Sequence, residues 1–263
     1  MITNKESNMN NSATLEKMHA LRLYGMERAF RSALETNQDR AFAPAELIAH
    51  TVEAEWDDRH NRKTNRLTHA AGFRARAALQ DLDFSVDRGI DRALVLRLSD
   101  SAWITAGKTI LVSGPTGVGK SFLVQSFGTQ ACILGFRTVY CSCSRLFQTL
   151  KDKRANGTYQ RYVARIARTP LLILDDFGLA PLDTQDRLSL LEIVEDRLGR
   201  NATVIASQVP VAQWFDVIGD PTIADAICDR LVHQAIRINL TGRSMRAIQG
   251  LREQPEACAI SAT

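Results

Sequence analysis

The stretch that most constrains the fold is TILVSGPTGVGKSFLV, residues 109–124. Thr109 to Ser113 are β-prone and mostly apolar, the pattern of a buried strand. Gly114-Pro115-Thr116-Gly117-Val118-Gly119-Lys120-Ser121 then fits G-x-x-x-x-G-K-[ST] at every fixed position. Behind it, Phe122, Leu123, Phe127, Ala131 and Leu134 recur with helical spacing. In a strand, glycine loop and helix taken in that order, consecutive backbone N–H groups turn inward around a phosphate, and the helix N-terminus adds partial positive charge. Lys120 is then placed to reach the β- and γ-phosphates and the Ser121 hydroxyl to hold Mg²⁺. The expectation is a bound nucleoside triphosphate.

A second stretch supplies what such a loop needs. After Pro170, LLILDDFG has four apolar residues ending in two carboxylates. It reads as a fully buried parallel strand with its charges at the C-terminal edge, where an open α/β sheet binds ligands. Asp175 is placed to hold Mg²⁺, mainly through water, and Asp176 to orient or activate the attacking water. The strand Ala202–Ser207 leads to Gln208 on the same edge. That side chain either hydrogen-bonds the γ-phosphate or lytic water, or caps a helix.

The remaining pattern completes five strands, adding Phe136–Cys141 and Ile236–Leu240. Helices are expected over 87–98, from a Ser144 cap through Leu150, over Thr184–Leu198, over Val211–Val217 and over Ile223–Val232. Residues 1–13 are polar and expected to be a disordered tail. Helical spacing from Thr14 and again from Pro44 makes 14–80 a small helical domain ahead of an ATP-binding domain at 81–246, with a tail at 247–263. No apolar run is long enough to span a membrane, and the polar start lacks a secretion-signal core. The five cysteines have no zinc spacing, so free thiols in the cytoplasm are expected, with Cys141 and Cys143 as buried strand positions rather than a redox or metal pair.

The net charge of +4 permits a nucleic-acid partner without demonstrating one. Two stretches concentrate it. From Arg59 to Gln80 no residue is acidic, while Arg59, Arg62, Lys63, Arg66, Arg74 and Arg76 are basic. A second run carries Lys151, Lys153 and Arg154 about a turn at Asn156-Gly157. Each is compatible with a solvated helix face or with a surface contacting DNA phosphates.

The glycine loop, the strand ending in Asp-Asp, the strand ending in Ser-Gln and a later Asp229-Arg230-Leu231 resemble the AAA+ ATPases. Within them the chain is similar to the IstB-type transposition helper ATPases of insertion sequences, relatives of DnaC-type helicase loaders. The resemblance rests on GPTGVGKS, on LLILDDFG at 171–178, and on SQVPVAQWFDVIGDPTIADAICDRLVH at 207–233. It also takes in I-x-L-x-G-R-S-M-R at 238–246 and A-x-F-R at 71–74, and covers about residues 14–246. It implies an α/β AAA+ P-loop core with a five-stranded parallel sheet, a small helical N-terminal domain and no C-terminal lid. It further implies an ATPase that uses ATP and Mg²⁺, oligomerises on double-stranded DNA, serves a partner transposase and resets by hydrolysis. A replicative helicase loader is the alternative. Arg230 matches the family's arginine finger, acting on a neighbouring subunit. Asp176 stands where many AAA+ enzymes have Glu, and Gln208 where many have Asn or Thr, which implies slow turnover.

Overall fold

The computed structural model describes residues 3–36, 42–245 and 247. Arg246 and the expected tail from 248 onward lie outside them. The chain divides into two compact units, Met1–Arg66 and Leu67–Thr263. Residues 67–80, expected with the helical domain, therefore group with the larger unit.

In the first unit, α1 spans Thr3–Ala20 and α2 spans Tyr24–Glu35, while α3 starts at Pro44 and runs to Ala71. The tail expected over 1–13 is thus helical from Thr3. Asn and Ser cost a helix only tenths of a kcal/mol each, about 0.5 relative to Ala, so a polar composition does not exclude one. The apolar spacing from Thr14 to Leu34 belongs to two helices, because Arg22 takes a left-handed turn at φ +59°. Glu55 on α3 accepts the N–H groups of Gly25 (2.7 Å) and Met26 (3.2 Å), capping α2 from across the helix pair. Burial pushes the Glu55 carboxyl up, but Arg59 and those two N–H groups outweigh it and hold the pKa below the ordinary value. Gly25 lets α2 approach α3 closely: a Cβ there would lie 2.3 Å from the Ala54 carbonyl oxygen. We expect Gly25→Ala to destabilise this unit by about 1–3 kcal/mol despite its better helix propensity. Circular dichroism during heating checks this, an unchanged midpoint counting against it.

The second unit is a parallel α/β layer structure. Its strands are β1 (Thr109–Ser113), β2 (Thr138–Ser142), β3 (Leu171–Phe177), β4 (Ala202–Ser207) and β5 (Ile236–Asn239). They form one five-stranded sheet in the order β2-β3-β4-β1-β5, with every pairing parallel. The helices are α4 (Arg92–Leu98), α5 (Ala102–Thr105), α6 (Lys120–Ile133), α7 (Cys143–Ala155), α8 (Tyr159–Ala167), α9 (Thr184–Arg197), α10 (Trp214–Ile218) and α11 (Pro221–Val232). Strand side chains alternate between two cores. Ile110, Val112, Leu171, Ile173 and Val204 pack with α4, α5 and α6, whereas Leu111, Leu172, Leu174 and Ile205 pack with α7 to α11. Because both faces are covered, β3 and β4 are nearly continuous apolar runs.

Two helix starts differ from the sequence expectation. α7 begins two residues earlier, because Ser142 and not Ser144 caps it, accepting the Arg145 N–H. α4 begins at Arg92 rather than 87, capped by Asp91, since Gly89 is left-handed at φ +70°. Cys132, Cys141, Cys143 and Cys228 are free thiols, and burial pushes the Cys141 thiol up to about 12, which leaves it unreactive.

Candidate nucleotide-binding site

The glycine loop leaves β1 and enters α6 at Lys120. Gly119 caps α6 at φ +99°, a conformation that glycine adopts without steric cost, and a Cβ there would lie 2.7 Å from an Arg88 nitrogen. Arg88, 4% exposed, donates to the Val118 carbonyl (3.1 Å) and the Asp83 carbonyl (2.5 Å), so it braces the loop from behind. From the other side, the chain after β5 returns over the loop, where the Met245 N–H donates to the Gly117 carbonyl at 2.9 Å. Lys120 is buried, and its Nζ donates to the Gly114 and Pro115 carbonyls at 2.7 and 2.8 Å. Burial draws its pKa below the ordinary ammonium value, against the pull of Asp175 and Asp176.

The acidic residues sit where β3 loses register with β4, between Leu174 and Phe177. Asp175 is 1% exposed. It accepts the Tyr140 hydroxyl at 2.7 Å and the Asp176 N–H at 2.9 Å. Burial, and then the Asp175 hydrogen bond, push the Tyr140 phenol above its ordinary pKa, keeping it a donor. Asp176 is left-handed at φ +60°, a region that Asp tolerates better than most residues. The irregularity turns its carboxylate away from the sheet and onto Arg74, at 3.0 Å. Gln208, one residue past β4, accepts the Thr116 hydroxyl at 2.6 Å.

One cavity of about 490 Å³ is lined by Thr116, Gly117, Gly119, Lys120, Ser121, Asp176 and Gln208, while the buried Asp175 is not among its lining residues. Asp81, Leu82, Asp83 and Phe122 line it as well, so the lead-in segment before α4 supplies a mixed apolar and acidic wall. The donor set fits a nucleotide with its metal. A glycine loop and an ammonium are the donors that a phosphate chain needs, and a hydroxyl and a carboxylate, both hard oxygen ligands, suit Mg²⁺.

Arg230 is not among the residues lining this cavity. On α11 it donates to Glu195 of α9 at 2.7 Å and to the Ala226 carbonyl at 2.8 Å, the arrangement of a paired surface arginine. Of the nine basic positions considered for DNA, five are engaged within the chain. Arg59 pairs with Glu55 and Arg62 with Asp58, both at 2.6 Å. Arg74 pairs with Asp176, and Lys151 with Asp183 and Asp186. Arg154 lies over the Tyr159 ring at 3.7 Å. Lys63, Arg66, Arg76 and Lys153 have no ion-pair partner among the described residues.

Nothing in the sequence singles out Arg88, Tyr140 or Gln125 for the site, and Arg74 stands there only among the candidates for DNA. No local pattern marks them, because each acts on a residue distant in the chain. Among the described residues no helix is long and apolar enough to cross a membrane.

Comparisons with known proteins agree with this geometry. The second unit has the fold of solved AAA+ proteins. DnaI superimposes with a TM-score of 0.54 at 22% identity, over 63% of this chain and 92% of its own. DnaA from Aquifex aeolicus, bound to AMPPCP, gives 0.54 at 19% identity, over 69% of this chain and 56% of its own. In sequence, the chain is 42% identical to y4pL of Sinorhizobium fredii, named as an insertion sequence ATP-binding protein, over 90% of this chain and 96% of that protein. The family profile described as IstB-like ATP binding protein matches residues 16–253. The chain belongs to the IstB-like ATP binding protein family.

Proposed function

We propose that this protein is an ATP-dependent, DNA-binding helper of transposition. In this reading it assembles as a homo-oligomer on double-stranded target DNA, recruits or activates a partner transposase, and hydrolyses ATP to reset the assembly. The observation that carries it is the cavity joining the Gly114–Ser121 loop to Asp176 and Gln208, in a relative of proteins named for insertion sequences. The loop N–H groups and Lys120 bind the phosphates, and Ser121 and Asp175 hold Mg²⁺. When bound, the metal neutralises charge developing on the phosphates. Asp176 orients the attacking water, and Gln208, now held by Thr116, hydrogen-bonds at the γ-phosphate end. Arg230 acts in trans on a neighbour's phosphates, giving up Glu195 for that contact; hydrolysis then depends on assembly. Lys63, Arg66, Arg76 and Lys153, which have no ion-pair partner among the described residues, are the first candidates for DNA phosphates.

Light scattering with and without a long duplex, in ATP and in ADP, tests the reading. A large species is expected only with ATP and DNA, and its hydrolysis is expected to fall about 10³-fold in Arg230→Ala while assembly is retained. A monomer indifferent to DNA would overturn the proposal.

A further inference from the structure

The segment that follows α3 is fastened to the catalytic edge of its own unit. The Phe73 ring lies against Gly128, and its centroid is 5.9 Å from that of Tyr140. Gln125 Oε1 accepts the backbone N–H groups of Arg74 (2.8 Å) and Ala75 (3.1 Å). Gln125 Nε2 in turn donates to the Ser121 carbonyl at 2.9 Å, in the first turn of α6. So anchored, Arg74 spreads over the Tyr140 ring at 5.9 Å and donates to Asp176 Oδ2 at 3.0 Å. The two residues are 102 positions apart. Burial lowers the Arg74 pKa, but Asp176 and the neighbouring acidic groups more than restore it, so the guanidinium is charged.

We infer that Arg74 is a latch on the carboxylate that orients the attacking water. While the pair holds, one Asp176 oxygen is occupied and its negative charge is offset, so it is a poorer acceptor for water. The side chains are 53% and 24% exposed, and an ion pair this open contributes little stability. A modest shift of residues 72–76 therefore suffices to break it. The segment continues directly from the helix that carries Arg59 to Arg66, which gives DNA binding there a covalent route to Asp176. Arg74 is thus a positioning residue, coupling DNA to turnover. The inference rests on the role proposed for Asp176.

The test measures phosphate release with and without duplex DNA, together with affinity for fluorescent ATP and ADP analogues. Arg74→Ala is expected to raise DNA-independent turnover roughly two- to fivefold, the range an exposed pair spans. Stimulation by DNA shrinks by the same factor, and both affinities stay within about twofold. Arg74→Lys, which keeps a cation at the site, should restore much of the DNA dependence. Lower turnover with ATP affinity down and ADP affinity kept would make Arg74 a phosphate ligand and overturn the latch. Turnover unchanged in every condition would overturn it too. Asp176→Asn separates the two levels: if it hydrolyses at the parent rate, the role of Asp176 fails first. If it is inactive while Arg74→Ala matches the parent, only the latch fails.

Discussion

Lys120→Ala is expected to lower ATP hydrolysis about 10²–10³-fold, the usual loss when one preorganised charged donor is removed from a phosphate site. The same change should weaken triphosphate binding. The expectation follows from where Lys120 is held. Its ammonium is buried and fastened to the Gly114 and Pro115 carbonyls, so it stands beside the loop before any phosphate arrives and needs only to exchange acceptors. Alanine at this position also removes two hydrogen bonds that shape the loop, but not Arg88 behind it or Met245 above it. The fold should therefore survive. Titration with a fluorescent ATP analogue and phosphate release measure the two effects, and binding equal to the parent's would sink the assignment of the cavity.

The largest stability effect is expected at Arg197, far from that cavity in its role. Arg197 ends α9 and is 1% exposed. Its guanidinium donates to the carbonyls of Ile166 (2.6 Å) and Thr169 (2.8 Å), to the Thr203 hydroxyl (3.0 Å) and to the Ala202 carbonyl. One cation thus satisfies the C-terminus of α8 and the start of β4, and it sits at the negative end of the α8 dipole. Burial draws its pKa down, yet each of these bonds requires the donor form. Arg197→Met would strand several buried carbonyls, at a cost of about 3–5 kcal/mol. For a unit of this size that is a fall in melting temperature of roughly 6–20 °C. Arg197→Lys should recover only part, because an ammonium cannot reach acceptors arranged around a planar fork. Calorimetry decides, and a Met variant as stable as the parent would contradict this account.

The core of this architecture was legible because its signals are local. Five strands announced themselves as short apolar runs, and the glycine loop as a fixed spacing. The run W-x-x-x-I-G-D-P, used above for its resemblance, turns out to be structural chemistry. Trp214 is buried against Phe177, its ring donating to the Val209 carbonyl, and Asp220 caps α11 with Pro221 at the first turn. Other features could not be read so directly. The acid-free window from Arg59 to Gln80 looked like free positive charge, but Glu55 and Asp58 stand four residues before Arg59 and Arg62, one helical turn away. Counting i,i+4 pairs across the window's edge would have found them. Arg74 had no such clue, since Asp176 is 102 positions away, and the Arg88 contact to the Val118 carbonyl spans 30.

Strand order sets a length scale at the catalytic edge. Because β4 lies between β1 and β3, the loop after β1 and the acidic end of β3 are two strand intervals apart, about 10 Å. The Thr116–Gln208 hydrogen bond crosses the first interval. A ligand that touches the backbone of both the loop and the end of β3 spans the second as well. The edge is in this sense a gauge, and Gln208 marks its midpoint.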